Sequence, residues 1–337
     1  REGAGGSTLD STLDAAASSD SFRFQLASLP MLLPEALSTP ASAAVVVAVL
    51  ALVALRFVCG GDFGASSLRR RSRSALAKAV VRWSLCCCSS GRLVGRLVRR
   101  WCSVYRDTIF FYELREGRNK MVALTIDDAP SRDSELFSKL LDILHRNSVQ
   151  ATFFIISSHI KSKKHEELLR RAVRDGHLLA NHMVVDEATH RYSESDFSHH
   201  LLTCQQAIEK FQAAAANDNS SGSEVKFFRA PHARMSSGMR KILNQNGYTS
   251  VLADAYTFDP AIEDAKFHKE KLLELTNPGS ILLVHSPERN LRVQSLEILD
   301  GLIPKLKQRG FKLVTLQTMH TAAAADSKRF RERAART

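Results

Sequence analysis

From residue 120 onward the chain switches repeatedly between short apolar runs and segments whose apolar residues recur every three or four positions. Met121 to Ile126 and Ala151 to Ile156 are runs of strand length, whereas Ser134 to His145 places Leu136, Leu140, Leu141 and Leu144 on one helical face. The alternation continues with strands at Leu178 to Asn181, Val225 to Arg229, Thr249 to Ala253, Ser280 to Val284 and Phe311 to Leu316. Helices are predicted at Lys164 to Asp175, Ser193 to Ala214, Ser236 to Asn246 and Leu291 to Gln308, the second opened by a capping box of Ser193 and Asp196. Repeated strand–helix units imply a parallel sheet. Over roughly 200 residues, closure into a distorted α/β barrel of about seven strands is favoured over an open sheet. The polar stretch Ala216 to Glu224 reads as a loop.

The first third of the chain has a different texture. Residues 1–35 are rich in Ser, Ala, Thr and Gly without an apolar period and read as disorder or presequence. Residues 36–59 contain an uncharged stretch from Ala36 to Leu55, closed by Arg56, which is long enough to span a bilayer. A buried core helix is the alternative, and Arg69, Arg70, Arg71 and Arg73 just beyond weigh against it. Residues 60–106 hold ten arginines and one lysine against a single acid, Asp62, with Trp83 and Trp101 among Val and Leu, as in an amphipathic interfacial helix or a solvated linker. The expected location is therefore a membrane, through one N-terminal helix, with either orientation open. The formal charge of +12 is concentrated here. With neither basic–aromatic alternation nor zinc-ligand spacing, it does not point to nucleic acid.

Five of six cysteines, Cys59, Cys86, Cys87, Cys88 and Cys102, also lie in this region, where they suit either acylation or plain thiols, and no disulfide framework is implied for the later domain. The chain begins at Arg1, as a fragment or processed product would. The barrel is expected over 107–320, followed by a basic tail at 321–337, helical or disordered.

In a parallel barrel the residues just past the strand C-termini converge on one face. Asp127 and Asp128 follow the first strand, and adjacent carboxylates persist there when a cation or an arginine neutralises one of them, although an ordinary polar turn is the plainer reading. His182 follows the third strand, with Asp186 four residues on and His190 beyond, and imidazole and carboxylate are zinc ligands. Arg229, Pro231 and His232 follow the fourth, where the arginine can hold a carboxylate ionised or form a surface salt bridge. His285 ends the sixth strand as a candidate general acid, and Asp254 or Asp259 after the fifth could raise its pKa.

In order and spacing these segments resemble the NodB-like polysaccharide deacetylases, carbohydrate esterase family four. TIDDAP is similar to the family's Thr-Phe-Asp-Asp-Gly, NHMVVD to its histidine pair spaced by four, RAPH to Arg-x-Pro-Tyr and LLVHSP to its final Leu-x-His. The resemblance implies that Asp127 is the base and Asp128 a metal ligand, that Arg229 orients the base, that a backbone N–H after Pro231 binds the oxyanion and that His285 is the acid. Three departures stand out: Asp186 replaces the second histidine, His232 replaces tyrosine, and ADAYTFDP lacks tryptophan, leaving Tyr256 or Phe258 as pocket wall.

The expected activity is hydrolysis of an N-acetyl group on an amino-sugar glycan of chitin-like kind. The expected cofactor is a divalent metal, Zn2+ before Co2+ or Mn2+, on Asp128, His182 and Asp186 or His190, with Asp254 as the partner of His285. The competing expectations are a degenerate glycan-binding module and an amidohydrolase acting on a non-sugar amide.

Overall fold

The structure, a computed structural model, describes residues 107–114, 120–213 and 225–334, all within one compact unit, Ser90–Thr337. The segments 1–35, 36–59 and 60–106, and the loop expected at 216–224, lie outside the described residues. Among the described residues no helix is long and apolar enough to cross a membrane.

Among the described residues eight strands and seven α-helices follow one another. They are β1 (Thr108–Ile109), β2 (Lys120–Ala129), α1 (Ser134–Arg146), β3 (Thr152–Ile155), α2 (Lys163–Arg174), β4 (Leu178–Asn181), α3 (Glu194–Ala213), β5 (Lys226–Phe228), α4 (Ser237–Gln245), β6 (Tyr248–Val251), α5 (Ala265–Leu275), β7 (Ile281–His285), α6 (Gln294–Gln308), β8 (Phe311–Val314) and α7 (Leu316–Ala334). The sheet runs β1-β6-β5-β4-β3-β2-β7 with β8 also on β2, and every named pair is parallel. Isolated bridges from Ala255 to Leu282 and from Phe111 to Ser280 join its two ends. The expected α/β barrel is therefore present in distorted form, with a two-residue β1 as the unpredicted eighth strand.

Side-chain alternation along each strand divides the core. Val122, Leu124 and Ile126 face outward with Phe153, Leu179 and Leu282 onto the helices, whereas Ala123, Phe154, Ala180, Val251 and Ile281 form a separate inner cluster. The same period of two carries Thr125 and Asp127 to the inner face of β2, Arg229 inward beyond Phe227 and His285 inward beyond Ile281.

Two elements differ from expectation. Helix α5 has no counterpart in the sequence reading because one of its buried positions is His268, which hides the apolar period of Phe267, Leu272, Leu273 and Leu275. The strand expected through Leu316 stops at Val314, where Thr315 accepts from Thr318 N–H as a helix cap, and α7 runs into the predicted basic tail as helix.

Candidate active site

Asp127 and Asp128 are sequence neighbours, so a regular strand would send their side chains to opposite faces. Between Ile126 and Ala129 the β2–β3 register shifts, and Asp128 takes φ +57°. This bulge brings both carboxylates into one site. Histidines hold the turn from beneath: His159 Nδ1 lies 3.1 Å from the Pro130 carbonyl and His165 Nε2 3.1 Å from that of Ser131.

Arg229 is buried, and its donors fix the centre. Nη1 donates to Asp127 Oδ1 at 2.5 Å and Thr125 Oγ1 at 2.9 Å, Nη2 to the Leu252 carbonyl at 3.0 Å, and the guanidinium stacks on Phe154. Its carbonyl receives His182 Nδ1 at 2.7 Å, which leaves His182 Nε2, 3.4 Å from Asp128 Oδ1, as the nitrogen with a lone pair when the ring is neutral. Burial works against the Asp128 carboxylate, but His182, His285 and Arg292 outweigh it and hold the group well below the usual carboxylate range.

On the opposite side Asp127 pairs in register with His285. The Asp259 carboxylate accepts from both the backbone N–H of His285 (2.8 Å) and Nδ1 (2.9 Å), so Nε2 can hand on a proton. Burial opposes charging of this imidazole, yet the nearby carboxylates, Asp259 foremost, lift its pKa to about 9. The Asp259 loop is itself pinned: buried His268 bridges Thr257 Oγ1 and the Ile262 carbonyl, both at 2.8 Å, and Gln294 donates to the Asp259 carbonyl. Tyr256 stacks on Phe258 at 4.6 Å and lies 5.9 Å from the His285 ring. Burial, then Asp259, Asp127 and Asp128, keep its hydroxyl protonated.

Residues 115–251 match a family profile described as polysaccharide deacetylase. The match identifies this segment as similar to the polysaccharide deacetylases, in keeping with the resemblance of its motifs to the NodB-like enzymes. A peptidoglycan-N-acetylglucosamine deacetylase of Bacillus cereus is 27% identical over 198 residues, covering 59% of this chain and 67% of the relative. A chitooligosaccharide deacetylase of Sinorhizobium fredii is 29% identical over 218 residues, 59% of this chain and 91% of the relative. Among solved structures, a family 4 acetyl xylan esterase from Clostridium thermocellum in complex with a cobalt ion superposes with a TM-score of 0.52 at 26% identity, over 60% of this chain and 90% of its own.

The barrel brings together Asp127, Asp128, His182, Arg229 and His285. Asp254 does not take its expected role: its carboxylate accepts from Ser280 Oγ at 3.0 Å and the Ile281 N–H at 2.9 Å, so it fixes the start of β7 while Asp259 serves His285. The cause is geometric, because Asp254 lies where the chain leaves β6 beside the first residues of β7 and Asp259 lies beside its last. Two of the three departures touch each other: His232 Nε2 lies 3.4 Å from Asp186 Oδ1, and this pairing lowers the Asp186 pKa and raises that of His232. Pro231 is buried, and His232 has φ +58°. His190 sits in a 3-10 turn, Thr189–Arg191, with its buried Nδ1 unpartnered, and it does not join the Asp128–His182 pair.

Sequence reasoning missed Arg292. Its Nη1 donates to Asp128 Oδ2 at 2.5 Å from the turn before α6, seven residues past His285, a spacing that carries no signal by itself.

The donor chemistry fits a divalent cation only in part. Asp128 and the Nε2 of His182 already face each other, as two ligands would. The third expected donor, Asp186, is taken by His232, and among the described residues no three of His, Cys, Asp and Glu close round one point.

Proposed function

We propose that this domain hydrolyses the N-acetyl group of an amino-sugar glycan, releasing acetate and a free amine. The observation that carries the reading is the pairing in register of Asp127 and His285, one tied to an arginine and the other to an aspartate. A candidate base and a candidate acid thus stand side by side at the ends of adjacent strands, as amide hydrolysis requires. The peptidoglycan and chitooligosaccharide specificities of the two relatives support a glycan carrying N-acetylglucosamine.

Asp127, oriented by Arg229, takes a proton from water as the water attacks the acetamide carbonyl. The backbone N–H of His232, turned by its positive φ, is assigned to the developing oxyanion. His285 then delivers the Nε2 proton to the departing nitrogen, because an amine anion is too poor a leaving group. Tyr256 and Phe258 form the apolar wall against which a pyranose ring rests. A divalent metal, zinc by preference, would be held by Asp128 and His182, with Asp186 as third donor once it leaves His232, and when bound it would supply Lewis-acid polarisation of the carbonyl and of water. The apolar stretch at 36–59, with the arginines beyond it, supports tethering of this domain to a membrane.

The test is acetate release from an N-acetylglucosamine oligomer by the full chain and by its Asp127→Asn and His285→Ala variants. A loss of about 10²-fold or more in kcat for each variant is expected. Glycan binding by the parent chain without any acetate release would instead establish a binding module, and acetate release unchanged in Asp127→Asn would remove this residue from the role of base.

A further inference from the structure

The segment that carries the two carboxylates, Asp127 to Ser131, leaves β2 at a bulge, and Asp128 holds φ +57°, a conformation that a residue with a side chain keeps where its surroundings fix it. Each of the five carbonyls in this segment accepts a hydrogen bond. Asp127 accepts from the backbone N–H of Ser286 and Ala129 from that of Ile156, both at 2.8 Å. The other three carbonyls go to imidazoles. Nδ1 of His159 lies 3.3 Å from the carbonyl oxygen of Asp128 and 3.1 Å from that of Pro130, and Nε2 of His165 lies 3.1 Å from that of Ser131.

A carbonyl oxygen only accepts, so each of these ring nitrogens carries its proton. In a neutral His165 the Nδ1 is then an acceptor, and Ser162 Oγ stands 2.9 Å from it while accepting the backbone N–H of His165 as the N-cap of α2. His165 thus ties the first turn of a helix to the catalytic segment. Both rings are buried, and both come from the single stretch that follows β3. The carboxylates themselves pair with Arg229, His182 and Arg292, which leaves the two imidazoles the backbone beneath them. A buried carbonyl stripped of its donor keeps its desolvation cost, and the backbone shifts to relieve it.

We propose, resting on the deacetylase reading given above, that His159 and His165 are positioning residues of the reaction: their ring N–H groups hold the carbonyls of Asp128, Pro130 and Ser131 and so fix where the carboxylates of Asp127 and Asp128 stand, while the rings transfer no proton themselves. A displacement of about 1 Å in such a constellation costs up to about 10²-fold in rate. Amide side chains separate donation from proton transfer, because Asn carries an N–H donor close to the place of a histidine Nδ1, Gln carries one close to that of Nε2, and neither titrates. His177 supplies a control. It is buried as the other two are, but it accepts the Ala151 N–H at 3.0 Å just before β3 begins, at the end of the barrel away from the site.

The experiment is acetate release from an N-acetylglucosamine oligomer by the full chain, read as kcat and KM well below the melting temperature of each variant. His159→Ala and His165→Leu should lower kcat by about tenfold or more with KM within about threefold of the parent. The matched amides, His159→Asn and His165→Gln, should recover most of that loss, whereas the exchanged ones, His159→Gln and His165→Asn, should not. His177→Leu should melt at lower temperature yet keep the parental kcat. A kcat that follows melting temperature through all variants, His177→Leu included, overturns the proposal, and so does a matched amide no better than the exchanged one. Should His159→Ala and His165→Leu fail to fold, the comparison of matched with exchanged amides decides. Should the parent release no acetate, the deacetylase reading fails on its own, and crystal structures of the parent and His159→Gln then decide the hold on the carboxylates: a shift of about 1 Å at Asp127 and Asp128 sustains it, and an unmoved segment overturns it.

Discussion

His285 and Asp259 show how two side chains set a chemical property that neither has alone. Burial by itself would leave the imidazole neutral; Asp259, accepting two hydrogen bonds from His285, reverses this and places the pKa at about 9. A group raised in the folded state keeps its proton up to that value, so acid catalysis should fall only as pH rises through about 9. The stability contributed by the pair should be complete below the ordinary histidine value and be lost between there and about 9. Asp259→Asn keeps the shape and removes the charge. The alkaline limb of the kcat/KM profile should then move down towards the ordinary histidine range near 6.5, whereas Asp254→Asn should leave that limb in place, because Asp254 binds the start of β7. A pH–rate series on the parent and the two variants checks both expectations.

At the scale of elements, closure of the sheet depends on places where backbones approach closely. Gly279 sits just before β7 at φ +81°, with its N–H on the Met121 carbonyl and its own carbonyl accepting from Tyr112 N–H. A Cβ there would meet the Tyr112 carbonyl oxygen at 1.9 Å, whereas Gly247, also at positive φ, has open space around it. Gly279→Ala should therefore cost well over about 1 kcal/mol and Gly247→Ala about 1 kcal/mol, as read from urea unfolding midpoints. Equal costs would mean that the contact between the β1 segment and β7 is soft. Helix α5 acts at the same scale. Through His268 it holds the loop that carries Asp259, which gives a buried histidine far from the reacting atoms a positioning task.

Across the whole molecule, one side chain ties the barrel together. Arg229 reaches from the end of β5 to Asp127 and Thr125 on β2, to the carbonyls of Val251 and Leu252 at the end of β6 and to the face of Phe154 on β3. Arg229→Met keeps much of the volume but leaves Asp127 buried without its partner. Breaking such a pair typically costs about 3–5 kcal/mol, so the variant should lose that order of unfolding free energy along with its turnover. Arg229→Met with parental stability would show that water reaches Asp127 and replaces the guanidinium.

Much of this architecture could be read from one dimension. Short apolar runs and helical faces at three to four located seven of the eight strands and most helices, and the strand ends named Asp127, Asp128, His182, Arg229 and His285 before any coordinates. These features are local, encoded in which side chains follow one another, and periodicity reports them faithfully. Tertiary structure decided what sequence distance hides. The bulge that turns Asp128 beside Asp127, the choice of Asp259 over Asp254, the contact of Asp186 with His232 and the placement of Arg292 on Asp128 all depend on how separate strand ends and loops meet. Such pairings involve residues up to 164 positions apart, and only closure of the barrel brings them within reach of one another.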